Sequence, residues 1–189
     1  LHKKYDEVGA ILAGDGLNTH AFYCIATSKL KPTIKVKLTQ LLSYNGGVYG
    51  MVLGQALDCY FERQTLPLEQ LKIIHTNKTA KLIAASLEMG GIIAQCNKKT
   101  RKKLYNLGLD LGLFFQIRDD IIDSTQSEQE AGKPTHNDGM KNSYVNLLGI
   151  VGAKREAKAI QDSILTQLNA LNKRTNIYLD QLLQSYFTF

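Results

Sequence analysis

Cysteine, proline and long apolar runs are all scarce in this 189-residue chain, and each scarcity excludes a class of protein. Cys24, Cys59 and Cys96 are widely spaced and lack histidines at ligand spacing, which argues against a zinc site or a disulfide framework. No apolar stretch approaches the roughly 20 residues that a membrane-spanning helix needs, so we expect no stable membrane insertion. The chain begins with Leu1 rather than Met, and no signal-like segment follows. We therefore expect a cytoplasmic protein whose first residue is internal to a longer gene product.

The few prolines leave long stretches in which apolar residues recur every three or four positions, a spacing typical of amphipathic helices. The pattern predicts an all-α protein with helices over about 5–28, 34–61, 66–91, 99–123, 143–171 and 176–187. Four glycines interrupt the second helix, at 46, 47, 50 and 54, and close helix contact is the usual compensation for their low helix propensity. The polar stretch 124–142 predicts a long loop, for which a function is expected.

A run of carboxylates is the most informative chemical signal. At roughly 100° of rotation per residue, Asp119, Asp120 and Asp123 share one helix face with Gln116, while Arg118 falls among the isoleucines opposite. Like charges gathered in this way repel by roughly 0.2–0.5 kcal/mol per pair. An all-oxygen ligand set without His or Cys favours a hard cation such as Mg²⁺. Spacing alone favours the plainer alternative, a solvated acidic face on an amphipathic helix.

Basic residues could complement this acidic stripe. The chain has 23 Lys and Arg against 17 Asp and Glu, a net charge of +6, which suits an anionic partner. Lys78, Lys133 and Lys141 could hold phosphate groups beside a metal, although each alone also fits a solvated surface residue. The run 98–103 is more basic, but no aromatic residues interleave it, so we expect a solvated helix start and no nucleic-acid partner. The four histidines lack the partners of a catalytic triad.

Six stretches follow one another in a recognisable order. They are Ile11-Leu-Ala-Gly-Asp15, Gly50-Met-Val-Leu-Gly-Gln-Ala-Leu-Asp58, His75-Thr-Asn-Lys-Thr79, Phe115-Gln-Ile-Arg-Asp-Asp-Ile-Ile-Asp123, Gly132-Lys133 and Lys141-Asn-Ser-Tyr-Val-Asn-Leu-Leu-Gly149. In this order they resemble the trans-prenyltransferases, the polyprenyl diphosphate synthases, and within that family the bacterial farnesyl diphosphate synthases. One acidic motif is a weak signal, whereas six ordered matches favour the family over a solvated acidic face.

The resemblance implies a fold and a set of roles. The fold would be an isoprenoid synthase helical bundle around a central cavity, with residues 1–189 as the C-terminal part of a single domain. The residues that would hold Mg²⁺ against an allylic diphosphate are Asp119, Asp120 and Asp123. The lysines that would grip that diphosphate are Lys78, Lys133 and Lys141. Thr79 and Gln116 would lie beside the reacting carbons, where their oxygens can stabilise an allylic cation.

The implied reaction condenses isopentenyl diphosphate with dimethylallyl or geranyl diphosphate to give farnesyl diphosphate. The resemblance also implies a homodimer, with the glycine-rich second helix as a contact. Three alternatives stay open: a geranylgeranyl or longer-chain synthase, a noncatalytic subunit of a heteromeric synthase, and an isoprenoid cyclase, which Lys78-Thr79 and Gly132-Lys133 disfavour.

Part of the family pattern is absent from the sequence. There is no first DDxxD motif with its following arginine pair, and there are no upstream basic residues that would hold isopentenyl diphosphate. We therefore expect that the N-terminal helices of the bundle are missing and that the chain alone is inactive. The residues that limit product length in the family lie mainly before the first motif.

Overall fold

The computed structural model describes residues 4–125, 142–184 and 187. Helices form all the regular structure of these residues, and no strand occurs among them, which confirms the all-α prediction. In chain order they are α1 (Glu7–Thr27), α2 (Pro32–Gly46), α3 (Met51–Tyr60), α4 (Leu68–His75), a π-helical turn (Thr76–Ala80), α5 (Lys81–Ile93), α6 (Lys98–Thr125), α7 (Tyr144–Asn169) and α8 (Lys173–Leu183). Each helix of the described residues is too short or too polar to span a bilayer.

The chain divides into two compact units, Leu1–Leu41 and Leu42–Phe189. In the first unit, the Asp6 side chain accepts a hydrogen bond from the Gly9 N–H and so caps α1. At the other end of α1, the Lys35 ammonium donates to the Ala26 carbonyl at 2.7 Å. This bond satisfies a terminal carbonyl and ties the start of α2 to the end of α1.

The second unit is built around α6, which packs against α5 on one side and α7 on the other. Phe114, Ile117 and Ile121 are at most 2% exposed, so the apolar arc predicted opposite the carboxylates does form the buried face. A Cβ at Gly112 would lie 2.3 Å from the Ala80 Cα, which means that the two backbones are in direct contact. This contact fixes the distance between the π-helical turn and α6 just before Gln116.

Three predicted helices are interrupted in the structure. The predicted helix over 34–61 is two helices, because the chain turns at residues 47–50 and a Cβ at Gly50 would lie 1.9 Å from the Asn45 carbonyl oxygen. The predicted helix over 66–91 contains the π-helical turn, a widening that is common at functional sites. The predicted helix over 143–171 is present as α7, with a kink at Gly149, where φ is +68°. Most of the predicted loop lies outside the described residues.

Candidate functional site

The C-terminal half of α6 presents the predicted acidic stripe at the surface of the second unit. Gln116, Asp119, Asp120 and Asp123 are all partly exposed, while the isoleucines on the opposite face are buried. The helix therefore has the polarity that its sequence predicts. The apolar face anchors α6 in the core, and the carboxylates are left accessible to a ligand.

A chain of hydrogen bonds links three helical elements across this surface. The Thr79 hydroxyl, in the π-helical turn, lies 3.2 Å from Gln116 Oε1 and donates to it. Gln116 Nε2 donates in turn to Asp120 Oδ1 at 3.4 Å, one helical turn further along α6. Asp120 Oδ2 accepts from the Tyr144 backbone N–H at 2.8 Å. Three residues predicted from sequence are thus held in one connected arrangement.

The bond to Tyr144 has an electrostatic component. Tyr144 is the first residue of α7, and the N–H groups of a first helical turn have no partner within the helix. A carboxylate placed there satisfies one such donor and also interacts favourably with the positive end of the helix dipole. Asp120 therefore both caps α7 and belongs to the acidic stripe.

Lys78 has a partner to which sequence analysis assigned no role. Its ammonium nitrogen lies 2.6 Å from Asp58 Oδ2 in α3, and the two side chains are 28% and 12% exposed. For comparison, the Lys158–Asp162 ion pair on α7 has side chains that are 63% and 59% exposed. The Lys78–Asp58 pair is therefore the more sheltered of the two. Water screens such a sheltered pair less than a surface pair.

Beneath the acidic stripe lies a buried aromatic pair. Tyr144 is fully buried, and its ring centroid is 5.5 Å from that of His75, which is 4% exposed. Burial, followed by the negative charge of Asp120, raises the pKa of the Tyr144 phenol well above its ordinary value. The Tyr144 hydroxyl has no hydrogen-bond partner among the described residues.

Asn142 fixes the start of α7. Its side-chain amide donates to the carbonyls of Phe61 and Gln64, at 3.0 and 2.7 Å, and its oxygen accepts from the Leu66 N–H at 3.1 Å. One side chain thus ties the connection between α3 and α4 to the residues just before Tyr144. Because Asp120 bonds to Tyr144, this connection also supports the acidic stripe.

An apolar cavity of about 280 Å³ lies in the same unit. Its lining comes from α5, α6 and α8, and consists of Ile83, Leu87, Leu111, Phe115, Arg118, Leu179 and Leu183. Arg118 is the residue that falls within the apolar arc of the predicted helix, and the structure places it on the wall of this cavity. Phe115 precedes Gln116 in α6, but at roughly 100° of rotation per residue the two side chains leave the helix in different directions.

Comparison with known proteins identifies the family. The model of the polyprenyl synthetase family matches residues 1–181. The chain belongs to the polyprenyl synthetase family. It is 44% identical over 156 residues to a farnesyl diphosphate synthase from Micrococcus luteus, covering 82% of this chain and 54% of that protein. It is 35% identical over 178 residues to a chloroplastic geranylgeranyl pyrophosphate synthase from Capsicum annuum, covering 92% of this chain and 48% of that protein.

A solved polyprenyl synthetase structure extends the comparison to the fold. The geranyltransferase from Helicobacter pylori, complexed with magnesium and isoprenyl diphosphate, superposes with a TM-score of 0.91 and is 48% identical. The match covers 99% of this chain and 63% of that one, so this polyprenyl synthetase chain spans little more than half the length of its relatives. The isoprenoid synthase fold expected from sequence is therefore confirmed for the region that the chain covers.

The residues on α6 fit Mg²⁺ by their donor chemistry. Asp119 and Asp123 are one helical turn apart, and Asp120 already accepts a bond from a backbone N–H. Among the described residues, no group of three His, Cys, Asp or Glu side chains is gathered closely enough to hold a metal ion by itself. Mg²⁺ commonly uses one or two carboxylates and completes its octahedron with water and substrate phosphate oxygens. A partial set of protein oxygens is thus compatible with this ion.

Two predicted site residues lie outside the described part of the chain, and two residues without a predicted role bond to the site. Lys133 and Lys141 lie outside the described residues, so their roles stay predictions. Asp58 and Asn142 were within the stretches that resemble the family, but sequence analysis gave neither a role. Gly54 and Asp58 are four residues apart and so share a helix face, but this spacing alone does not identify Asp58 as the partner of Lys78.

Proposed function

We propose that this chain forms the part of a prenyl chain-elongating transferase that binds the allylic diphosphate. The substrates are isopentenyl diphosphate and an allylic diphosphate: one condensation extends dimethylallyl to geranyl diphosphate, and a second extends geranyl to farnesyl diphosphate. The C–O bond between the allylic carbon and its diphosphate breaks, and a C–C bond forms to the double bond of isopentenyl diphosphate. A proton then leaves the new chain for the departing diphosphate. The observation that carries this proposal is the bonded chain of Thr79, Gln116 and Asp120 in a member of this family.

Each side chain has a specific task in this proposal. Lys78 binds diphosphate oxygens, assisted by Lys133 and Lys141, and so holds the leaving group in one orientation. Thr79 and Gln116 direct oxygen lone pairs toward the carbon on which positive charge develops. Mg²⁺ bound by the carboxylates of α6 would neutralise charge on the leaving diphosphate. No protein nucleophile is needed, which agrees with the absence of a recognisable triad in the sequence.

The cavity beside Phe115 supports an apolar substrate. A prenyl chain carries only hydrocarbon beyond its diphosphate, and burying it releases roughly 25 cal/mol per Å² of apolar surface. Apolar side chains dominate the cavity lining, and a volume of about 280 Å³ is near the lower end of ordinary ligand pockets. We propose that the tail of the allylic substrate occupies this space.

The test is Mg²⁺-dependent binding of geranyl diphosphate to the full chain, measured by isothermal titration calorimetry. We expect binding in Mg²⁺ that is lost in EDTA. We expect Asp119→Asn and Asp123→Asn to weaken it by at least the roughly tenfold typical of outer-shell metal partners. Asp162→Asn is the control, because it removes the same charge from an exposed pair on α7. Binding that is indifferent to EDTA and to both stripe variants would contradict the proposal.

A second candidate concerns product length. A relative named geranylgeranyl pyrophosphate synthase matches this chain at 35% identity, so a longer product is a specific alternative. Incubating the protein with isopentenyl and geranyl diphosphates, followed by chromatography of the dephosphorylated products, separates farnesol from geranylgeraniol. Because the sequence lacks the first acidic motif, we expect no turnover by the 189 residues alone, and the appearance of either product would overturn that expectation. Geranylgeraniol among the products would favour the longer-chain alternative. A chain that binds substrate but supports turnover only with a different partner chain would instead be a noncatalytic subunit.

Three further expectations belong to the same proposal. Residues 1–189 form the C-terminal part of a single isoprenoid synthase domain, the protein acts in the cytoplasm, and it assembles as a homodimer. The polyprenyl synthetase match over residues 1–181 supports the first. For the dimer, Gly54 of the glycine-rich segment contacts Lys78 within the chain, so this glycine is not available for a contact between copies.

A further inference from the structure

The contact between α3 and the π-helical turn places a carboxylate against a proposed substrate-binding lysine. Lys78 and Asp58 are 2.6 Å apart, and Asp58 is the more buried of the two, with 12% of its side chain exposed. A carboxylate this sheltered depends on its partner, because burying an unpaired charge is costly. The two side chains therefore constrain each other more strongly than exposed ion partners do.

The backbone of Lys78 is held by the same helix. A Cβ at Gly54 would lie 2.1 Å from the Lys78 backbone nitrogen and 2.4 Å from its Cα, so α3 rests directly on this residue. Gly54 and Asp58 are one helical turn apart and share a face of α3. One face of one helix thus contacts both ends of Lys78, its backbone through Gly54 and its ammonium group through Asp58.

Neighbouring side chains of the π-helical turn bond to residues in different helices. Lys78 bonds to Asp58 in α3, whereas Thr79 bonds to Gln116 in α6. The turn itself is braced, because the Asn77 side chain donates to the Ile73 carbonyl at 2.8 Å. Lys78 is therefore anchored on α3 while Thr79 is anchored beside the acidic stripe.

We infer that Asp58 is a positioning residue that orients the Lys78 ammonium for a diphosphate group, an inference that rests on the proposed function. An ammonium group has three N–H donors, and Asp58 engages one of them. The other two can donate to phosphate oxygens without breaking the ion pair. Asp58 also limits the conformations of a long, flexible side chain, so less entropy is lost when the diphosphate binds.

The experiment is a double-mutant cycle on the full chain, with inorganic pyrophosphate and Mg²⁺ as the probe and calorimetry as the readout. The variants are Asp58→Asn, Lys78→Gln and the double variant. We expect Asp58→Asn to weaken pyrophosphate binding by about tenfold. We expect the same change to cost little affinity once Lys78 is already Gln, because Asp58 then has nothing to orient. Asp58→Glu keeps the charge and should recover part of the affinity.

The controls separate positioning from folding. Asp162→Asn removes an equal charge from an exposed pair and should leave binding unchanged. Thermal unfolding followed by circular dichroism reports whether each variant is folded at the titration temperature. If Asp58→Asn is unfolded there, the pyrophosphate affinity of Asp58→Glu is compared with that of wild type instead. Equal losses of affinity from Asp58→Asn in both backgrounds, or no loss in either, would overturn the inference while leaving the proposed function intact. Failure of the wild-type chain to bind Mg²⁺ and pyrophosphate would overturn both.

Discussion

At the scale of single residues, Gln116 is the link between the π-helical turn and the acidic stripe. Its amide accepts from Thr79 and donates to Asp120, a combination that a carboxylate cannot provide. The amide of Gln116 also bridges the Thr79 hydroxyl and the Asp120 carboxylate without adding a further negative charge to α6. The choice of residue type at this position therefore follows from its two neighbours.

We predict that Gln116→Glu lowers the free energy of unfolding by roughly 0.5–2 kcal/mol at neutral pH. The substitution removes the donor to Asp120 and places a like charge one turn away. Urea unfolding measures the change, and added Mg²⁺ should restore part of it. Gln116→Met, which loses the hydrogen bonds but adds no charge, should lie between wild type and Gln116→Glu and should gain no more stability from Mg²⁺ than wild type does. Equal stability of all three proteins would show that the bonded chain contributes nothing.

The buried hydroxyl of Tyr144 leads to a second prediction. It has no hydrogen-bond partner among the described residues, so removing it leaves no other group unsatisfied. We expect Tyr144→Phe to be neutral or to stabilise the protein by about 1–3 kcal/mol, the desolvation cost of an unpaired buried group. Denaturant unfolding is the measurement. A clear loss of stability would reveal a partner for the hydroxyl.

The same phenol predicts how stability depends on alkaline pH. Burial and the charge of Asp120 raise the pKa of Tyr144 above its ordinary value of 10.0 in the folded protein. A raised folded-state pKa gives stability that is complete below about pH 10 and falls as pH rises further. Urea unfolding at several pH values should show this fall, and Tyr144→Phe should make it shallower. Some slope should persist, because burial also raises the pKa of Tyr105.

At the scale of helices, the sequence predicts helix boundaries that depend on local periodicity. It does not predict breaks and distortions that depend on contacts between helices. The boundaries of α1 and α6 agree with the predicted helices to within about two residues, because apolar spacing and caps are encoded locally. The break at Gly50 and the π-helical turn carry no comparable local pattern. Gly54 and Gly112 explain the difference, because each is needed where another backbone passes. For the same reason, Asp119 and Asp123 could be singled out from spacing, whereas the partner of Lys78 could not.

We predict that Gly54→Ala destabilises the protein by about 1–3 kcal/mol, the usual cost of forcing extra volume into a packed contact. The new Cβ would lie 2.1 Å from the Lys78 nitrogen, so α3 must move away from the π-helical turn. Pyrophosphate affinity should fall together with stability. Gly90→Ala in α5 is the matched control, since its Cβ would meet nothing within 4 Å, and it should gain up to about 1 kcal/mol from helix propensity. The opposite ranking of the two variants would contradict this account of the contact.

At the scale of the whole molecule, α1 has several strongly exposed apolar side chains. Five of its apolar side chains are 61–72% exposed, namely Val8, Ile11, Leu12, Leu17 and Tyr23, whereas Ile25 is buried. Single exposed apolar residues are ordinary, but a helix with so many is normally buried against another surface. Because the chain spans only 54% of the length of one relative and 63% of another, either a second copy or the remainder of a longer protein can cover it.

The homodimer proposal makes α1 the decisive element. We predict that the chain sediments above its monomer mass of 21.1 kDa at micromolar concentration, because pairing removes the apolar face of α1 from water. Ile11→Gln combined with Leu12→Gln should shift the sedimentation toward the monomer. Val151→Gln is the control, because Val151 is an apolar residue on α7 that is 70% exposed. It should leave the sedimenting mass unchanged, which shows that the loss of an exposed apolar side chain elsewhere does not dissociate the dimer. A wild-type chain that sediments as a monomer would contradict the dimer and point to the rest of a longer protein as the cover for α1.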